Sequence, residues 1–146
     1  MLADLPPPAR LLGLAGLLPF WGLALALPIL APDKAAIGLT ALVGYGAVIL
    51  AFLGGVHWGV ALRPSETPSW LRLGWGVAPS LIGWTAVLLP PRGGLVLLAF
   101  GLAAALVVDL RSLGPDLAPR WYTGLRRLLS AGAIAALAVG FILAPG

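Results

Sequence analysis

Cysteine is absent from the 146 residues, histidine occurs once, and acidic side chains number only five. Without cysteine there can be no disulfide, no thiol nucleophile, no iron-sulfur ligation and no covalent haem attachment. The single histidine, His57, cannot supply both axial ligands of a haem within one chain, and zinc would lack ligands as well. No metal or cofactor is therefore expected. Charge of either sign is also scarce. Charged residues make up 10% of the chain, against about a quarter in soluble domains, while 60% are hydrophobic and mean hydropathy is +1.03. These values exclude an ordinary soluble fold and describe an integral membrane protein. A net charge of +4 raises the question of nucleic acid, but the basic residues are scattered through short loops and form no polybasic run. They read instead as topology signals and contacts to membrane lipids. No G-x-S-x-G, HExxH, Walker or dinucleotide motif argues for catalysis.

Proline and glycine divide the apolar sequence into five runs, read as spans over residues 11–31, 35–62, 70–89, 94–110 and 128–144 of one membrane domain, 1–146. The 21 residues of the first give about 31 Å at 1.5 Å per residue, the thickness of a hydrocarbon core. Pro6, Pro7 and Pro8 are expected to oppose helix before it, and Pro32-Asp33-Lys34 and Pro90-Pro91-Arg92-Gly93 are expected as turns. Pro64 and Pro68 mark the loop after span two. A signal peptide competes for the first run, because Ala24-Leu25-Ala26 resembles a cleavage site. A retained span is preferred, since the leading segment carries Asp4 as well as Arg10.

Arg10, Arg63, Arg72, Arg111, Arg120, Arg126 and Arg127 fall on one side of this arrangement, and only Lys34 and Arg92 on the other. The positive-inside rule then places the N-terminus inside and the C-terminus outside. The fold expected is all-α: a polytopic bundle of five transmembrane helices in a bacterial inner membrane. Residues 48–63 align without gaps to 96–111 with seven identities, and Pro19 and Pro79 lie at matching depths, which would suit a duplicated hairpin with a fifth helix added.

Two features of span two could carry function. Ala47, Ala51, Gly55 and Gly59 recur every fourth residue, a small-residue ridge expected to pack against another helix of the chain, with homo-oligomerisation as the alternative. His57 faces away from that ridge and lies about 8 Å inside the arginine-rich boundary. Asp109 ends span four on the same side. The acids Asp4, Asp33, Glu66, Asp109 and Asp116 all fall at or beyond helix ends, so a transmembrane proton relay has no stepping stones. An ion network of His57 and Asp109 with nearby arginines is one expectation. The other is that His57 is neutral and Asp109 merely caps its own connection. Trp121, Tyr122 and Arg126 fall at headgroup level, where anchoring is the simpler role.

Three stretches resemble a known family: YGAVILAFLGGVHWG at 45–59, the Asp109 that ends span four, and PRWYTGLRRLLS at 119–130. They resemble the domain of unknown function family numbered 3429, which includes the transmembrane protein 69 group. The resemblance covers nearly the whole chain, with Ser130 standing where the family pattern has threonine. It implies a polytopic protein of an energy-transducing membrane and carries no catalytic residue over.

The preferred expectation is a non-catalytic accessory or assembly protein that meets lipid headgroups or a larger membrane complex. The alternative is a site for a quinone or lipid headgroup bounded by His57, Trp58, Asp109, Trp121, Tyr122 and Arg126. Transport is third, because no polar path leads from Asp33 or Arg92 to the inner face.

Overall fold

A computed structural model describes residues 5–67, 69–114 and 117–144; Asp4, Pro68 and Asp116 lie outside them. Helix α1 covers Pro7–Ala15 and α2 Leu18–Ala26, followed by a 3-10 turn at Leu27–Ile29. The long helices α3 (Pro32–Ala61), α4 (Trp70–Leu88), α5 (Pro91–Ser112) and α6 (Arg120–Leu143) complete the chain. The described residues contain no strand.

Prolines expected in turns instead open helices. Pro7, Pro32 and Pro91 each stand at the first position of a helix, where the missing N–H has no partner to lose and the fixed φ already suits the helix. The first turns of α1, α3 and α5 therefore lie in stretches expected to be tail or turn. Likewise α6 starts at Arg120, so the Trp121-Tyr122 segment forms its first turn and is not part of a polar connection. Pro19 stands in the first turn of α2, just after the break that follows Ala15, whereas α4 runs unbroken through Pro79. The two prolines aligned by depth thus have different consequences.

Four helical stretches are long and apolar enough to cross a membrane: Pro7–Ile29, Pro32–Ala61, Pro91–Ser112 and Arg120–Leu143. Helix α4 is less apolar, since its 19 residues include Arg72 and three tryptophans. It nevertheless forms the most extensive pairing in the molecule, with α3.

That pairing depends on close backbone approach. A Cβ at Gly54 would stand 2.4 Å from the Gly76 carbonyl oxygen, and one at Gly83 would stand 2.9 Å from the Ala47 carbonyl. Ala47 and Gly54 are seven residues apart, as are Gly76 and Gly83, and they meet in antiparallel register. This is the 3.5-residue repeat of left-handed helix packing. The four-residue ridge expected from sequence is not one packing face within the chain. Ala47 is half-buried against Gly83, and Ala51 is half-buried, but Gly55 and Gly59 are exposed with nothing within 4 Å of a Cβ. At 3.6 residues per turn, four-residue steps drift around the helix and carry the ridge out of the contact.

The same 3,4 alternation defines the core. On α3 it runs through Leu39, Val43, Gly46, Leu50, Leu53, His57 and Val60, all buried. On α5 it runs through Leu95, Leu98, Leu102, Ala105 and Asp109, and on α6 through Arg126, Ser130, Ala133, Leu137 and Gly140. Three helices therefore meet along largely apolar stripes that carry His57, Asp109, Arg126 and Ser130 toward one end of the bundle. At the opposite end, Arg92 donates to the Ala144 carbonyl (2.8 Å) and lies 5.9 Å from the Phe141 ring centroid, tying α5 to the end of α6.

Candidate functional site

The polar ends of the three stripes form one cluster. His57 Nε2 lies 2.9 Å from Asp109 Oδ1, and Arg126 Nε donates to Asp109 Oδ2 at 2.7 Å. Arg126 Nη1 also donates to Ser130 Oγ one turn further along α6. Relative exposures are 1% for His57, 2% for Asp109, 5% for Arg126 and 2% for Ser130. Opposite Arg126, the Asp109 carboxylate can only accept, so the shared His57 proton sits on Nε2. The Arg126 and Asp109 charges cancel, which is the condition for holding ionised groups in an apolar bundle. Asp109 thus bridges α3 and α6; it does not cap its own connection.

The hydrogen bonding leaves two donors over. Arg126 Nη2 and the Tyr122 hydroxyl are buried without a partner among the described residues. Tyr122 stands one turn before Arg126 on α6, with its hydroxyl close beside the Arg126 side chain and within electrostatic reach of Asp109. A buried donor left unpaired costs about 1–3 kcal/mol, so two beside one ion pair need a physical reason.

Arg126 and Ser130 form the polar part of the wall of an otherwise apolar cavity of about 150 Å³. Leu12, Gly13, Gly16 and Leu17 close one side of it, and Phe20, Ile49, Phe52, Leu53, Leu129 and Ala133 much of the rest. Helix α1, which supplies Leu12 and Gly13, buries none of its own residues. The break before Pro19 exposes backbone at Gly16, whose carbonyl accepts from the Tyr45 hydroxyl at 2.9 Å. Tyr45 in turn packs edge-on against Phe20, with ring centroids 4.9 Å apart. The interruption of the first span is thereby fixed beside the cavity.

Of the residues expected at a site, His57, Asp109 and Arg126 come together and Tyr122 stands beside them. Trp58 does not join them. Its ring lies across Gly76, and its indole N–H donates to the Leu73 carbonyl at 3.2 Å, which places it in the α3/α4 contact. Trp121 is half-buried against Tyr122, 6.2 Å between ring centroids, and makes no contact with the ion pair. Sequence reasoning missed Ser130 and Tyr45. The signal for Ser130 was available, because it stands four residues after Arg126 and three before Ala133 in the α6 stripe. Among the described residues, no group of three or more His, Asp or Glu could hold a metal ion.

These features define a multi-pass helical membrane protein with a buried His-Asp-Arg-Ser cluster at one end of its core. Within that class the chain belongs to the family described as Protein of unknown function (DUF3429), whose profile matches residues 5–142. It is 38% identical to Transmembrane protein 69 of Xenopus tropicalis over 143 residues, 93% of this chain and 54% of that protein. Identity to Transmembrane protein 69 of Mus musculus is 36% over 146 residues, 97% of this chain and 58% of the relative. The chain therefore spans little more than half the length of these curated relatives. No solved structure matches it.

Proposed function

We propose that this protein binds a neutral, membrane-soluble molecule that carries a ring carbonyl, of the quinone class, in the cavity beside Arg126. The observation that carries this reading is Arg126, which stands in the wall of an apolar cavity and keeps one buried guanidinium donor, Nη2, without a hydrogen-bond partner among the described residues. A carbonyl oxygen would satisfy it. The volume favours a ring, since an apolar cavity of about 150 Å³ holds one benzene-sized molecule. Charge argues for neutrality: Asp109 already neutralises Arg126, so an anion entering here would gain no net counter-charge and would meet a carboxylate. Helix α1 offers a way in from the lipid, because it covers the cavity without burying its own residues.

The topology that goes with this reading has five spans, with α4 crossing beside α3, the arginine-rich end inside and the C-terminus outside, in a bacterial inner membrane. Supporting it are the pairing of α4 with α3 and the seven-to-two asymmetry of basic residues. An assembly role remains the second reading. It is favoured by the outward strip of Gly55 and Gly59 flanked by exposed Phe52, and crosslinking from Gly55→Cys in native membranes tests it.

The ligand reading is tested by titrating nanodisc-embedded protein with a short-chain quinone and with a ring carboxylate of the same size, followed by tryptophan fluorescence. Saturable binding near one quinone per chain, at least about tenfold tighter than the carboxylate, is expected. Equal binding of the two, or tighter binding of the carboxylate, would remove the neutral-carbonyl reading.

A further inference from the structure

A second cavity, of about 300 Å³, lies on the other side of the cluster and is lined by His57, Ser69, Leu71, Arg72, Trp75, Val108 and Ser112. His57 is its inner wall, and Asp109 separates it from Arg126. Its mouth lies where α4 begins and α5 ends, the level of the loop after Ala61. Leu71 is 85% exposed and the neighbouring Trp70 96% exposed, as expected of side chains reaching into the interfacial layer of a bilayer.

Arg72 dominates its electrostatics. The side chain is about four-fifths buried, and its Nη1 is buried without a partner among the described residues. Glu66 forms an ion pair with it, its carboxylate 3.7 Å from Nη2 and beyond hydrogen-bonding distance. Ser69 Oγ accepts from the Arg72 backbone N–H, so its own proton is free to donate. Ser112 Oγ donates to the Val108 carbonyl and can only accept. The pocket thus has Arg72 in its wall, with one guanidinium nitrogen unpartnered, and a hydroxyl donor from Ser69, beside apolar side chains of Leu71, Trp75 and Val108. Asp109 meets Arg126 at hydrogen-bond distance, whereas the carboxylate facing Arg72 stands 3.7 Å away.

We infer that this second cavity is a binding site for a phosphate group, held by Arg72 and Ser69, and that the phosphate is the diester of an anionic phospholipid. A guanidinium edge matches two phosphate oxygens. The apolar walls suit the glycerol and upper acyl region of a lipid better than a fully hydrated ion. This site is distinct from the one beside Arg126, and neither reading depends on the other.

Native mass spectrometry of protein released from phosphatidylglycerol nanodiscs provides the test, with a parallel titration of detergent-purified protein with inorganic phosphate. One retained phosphatidylglycerol is expected on the unaltered chain. Arg72→Gln should lower that occupancy about tenfold or more, and Arg72→Lys should lower it less. Arg111→Gln, which removes an exposed arginine at the same end, should leave it unchanged. Thermal unfolding of each variant reports whether the fold survives, and Ser69→Ala gives a milder probe of the same site. Arg72-dependent binding of inorganic phosphate with none of lipid would keep the phosphate site and correct the source. Equal losses in Arg72→Gln and Arg111→Gln would reduce the effect to surface charge and overturn the inference. So would binding in both arms that ignores Arg72.

Discussion

At the scale of single residues, the ion pair between Asp109 and Arg126 is not explained by stability. Removing one partner of such a pair strands the other charge in an apolar interior, at a cost of about 3–5 kcal/mol. Replacing both with apolar side chains of similar size is often neutral or stabilising. We expect Asp109→Asn and Arg126→Met each to lower the detergent unfolding midpoint steeply, and Asp109→Leu with Arg126→Met together to recover most of the loss. The double variant should nevertheless fail to bind the carbonyl ligand. If it is as unstable as the single variants, the pair is a structural element and its link to the cavity dissolves. Ser130→Thr should be tolerated, because a hydroxyl remains for Arg126 Nη1 to reach. Ser130→Ala should leave a further guanidinium donor unpaired, costing about 1–3 kcal/mol by the same assay.

At the scale of helices, packing is set by glycines that the four-residue pattern does not pick out. Gly54→Ala pushes a methyl group into the Gly76 carbonyl and should destabilise by about 1–3 kcal/mol, whereas Gly55→Ala, one residue away, meets nothing. The second change should be neutral or stabilising by up to about 1 kcal/mol, since alanine loses less conformational freedom in a helix. Comparing their unfolding midpoints distinguishes a seven-residue contact from a four-residue one. What was legible at this scale was the existence and order of the helices, because long apolar runs leave few alternatives. The partner of each helix face was less legible. In an apolar sequence, lipid-facing and core-facing residues look alike, and only the 3,4 alternation of His57, Asp109, Arg126 and Ser130 with leucine, alanine and glycine marks the core. Helix starts were missed for a different reason. A proline such as Pro32 or Pro91 reads as a break, yet it costs nothing at the first position of a helix. In the sequence Arg72 shows only as a topology charge, because nothing in its neighbours reveals that one of its guanidinium nitrogens is buried.

At the scale of the whole molecule, α4 decides the topology. Its contact with α3 at both Gly54/Gly76 and Ala47/Gly83 keeps the two helices together along their length, so a bilayer that holds α3 should hold α4. Reporters placed in the loop at 63–67 and after residue 144 should then fall on opposite sides of the membrane. Reporters on the same side would mean four spans. The bundle also sets polarity: the cluster, both cavities with polar walls and most of the arginines share the half of the molecule where α3 and α5 end. His57, Asp109 and Arg126 stand between a largely apolar cavity under α1 and one with a basic mouth at the start of α4.

The most direct measurement is extraction and mass spectrometry of what stays bound when the chain is purified gently from native membranes, compared with Ala133→Leu. That substitution adds bulk to the cavity wall without touching the ion pair. About one neutral, ring-carbonyl lipid per folded chain is expected, lost from Ala133→Leu while that variant still shows a cooperative unfolding transition. A molecule of that class retained equally by both proteins, or its absence from both, would contradict a ligand site beside Arg126.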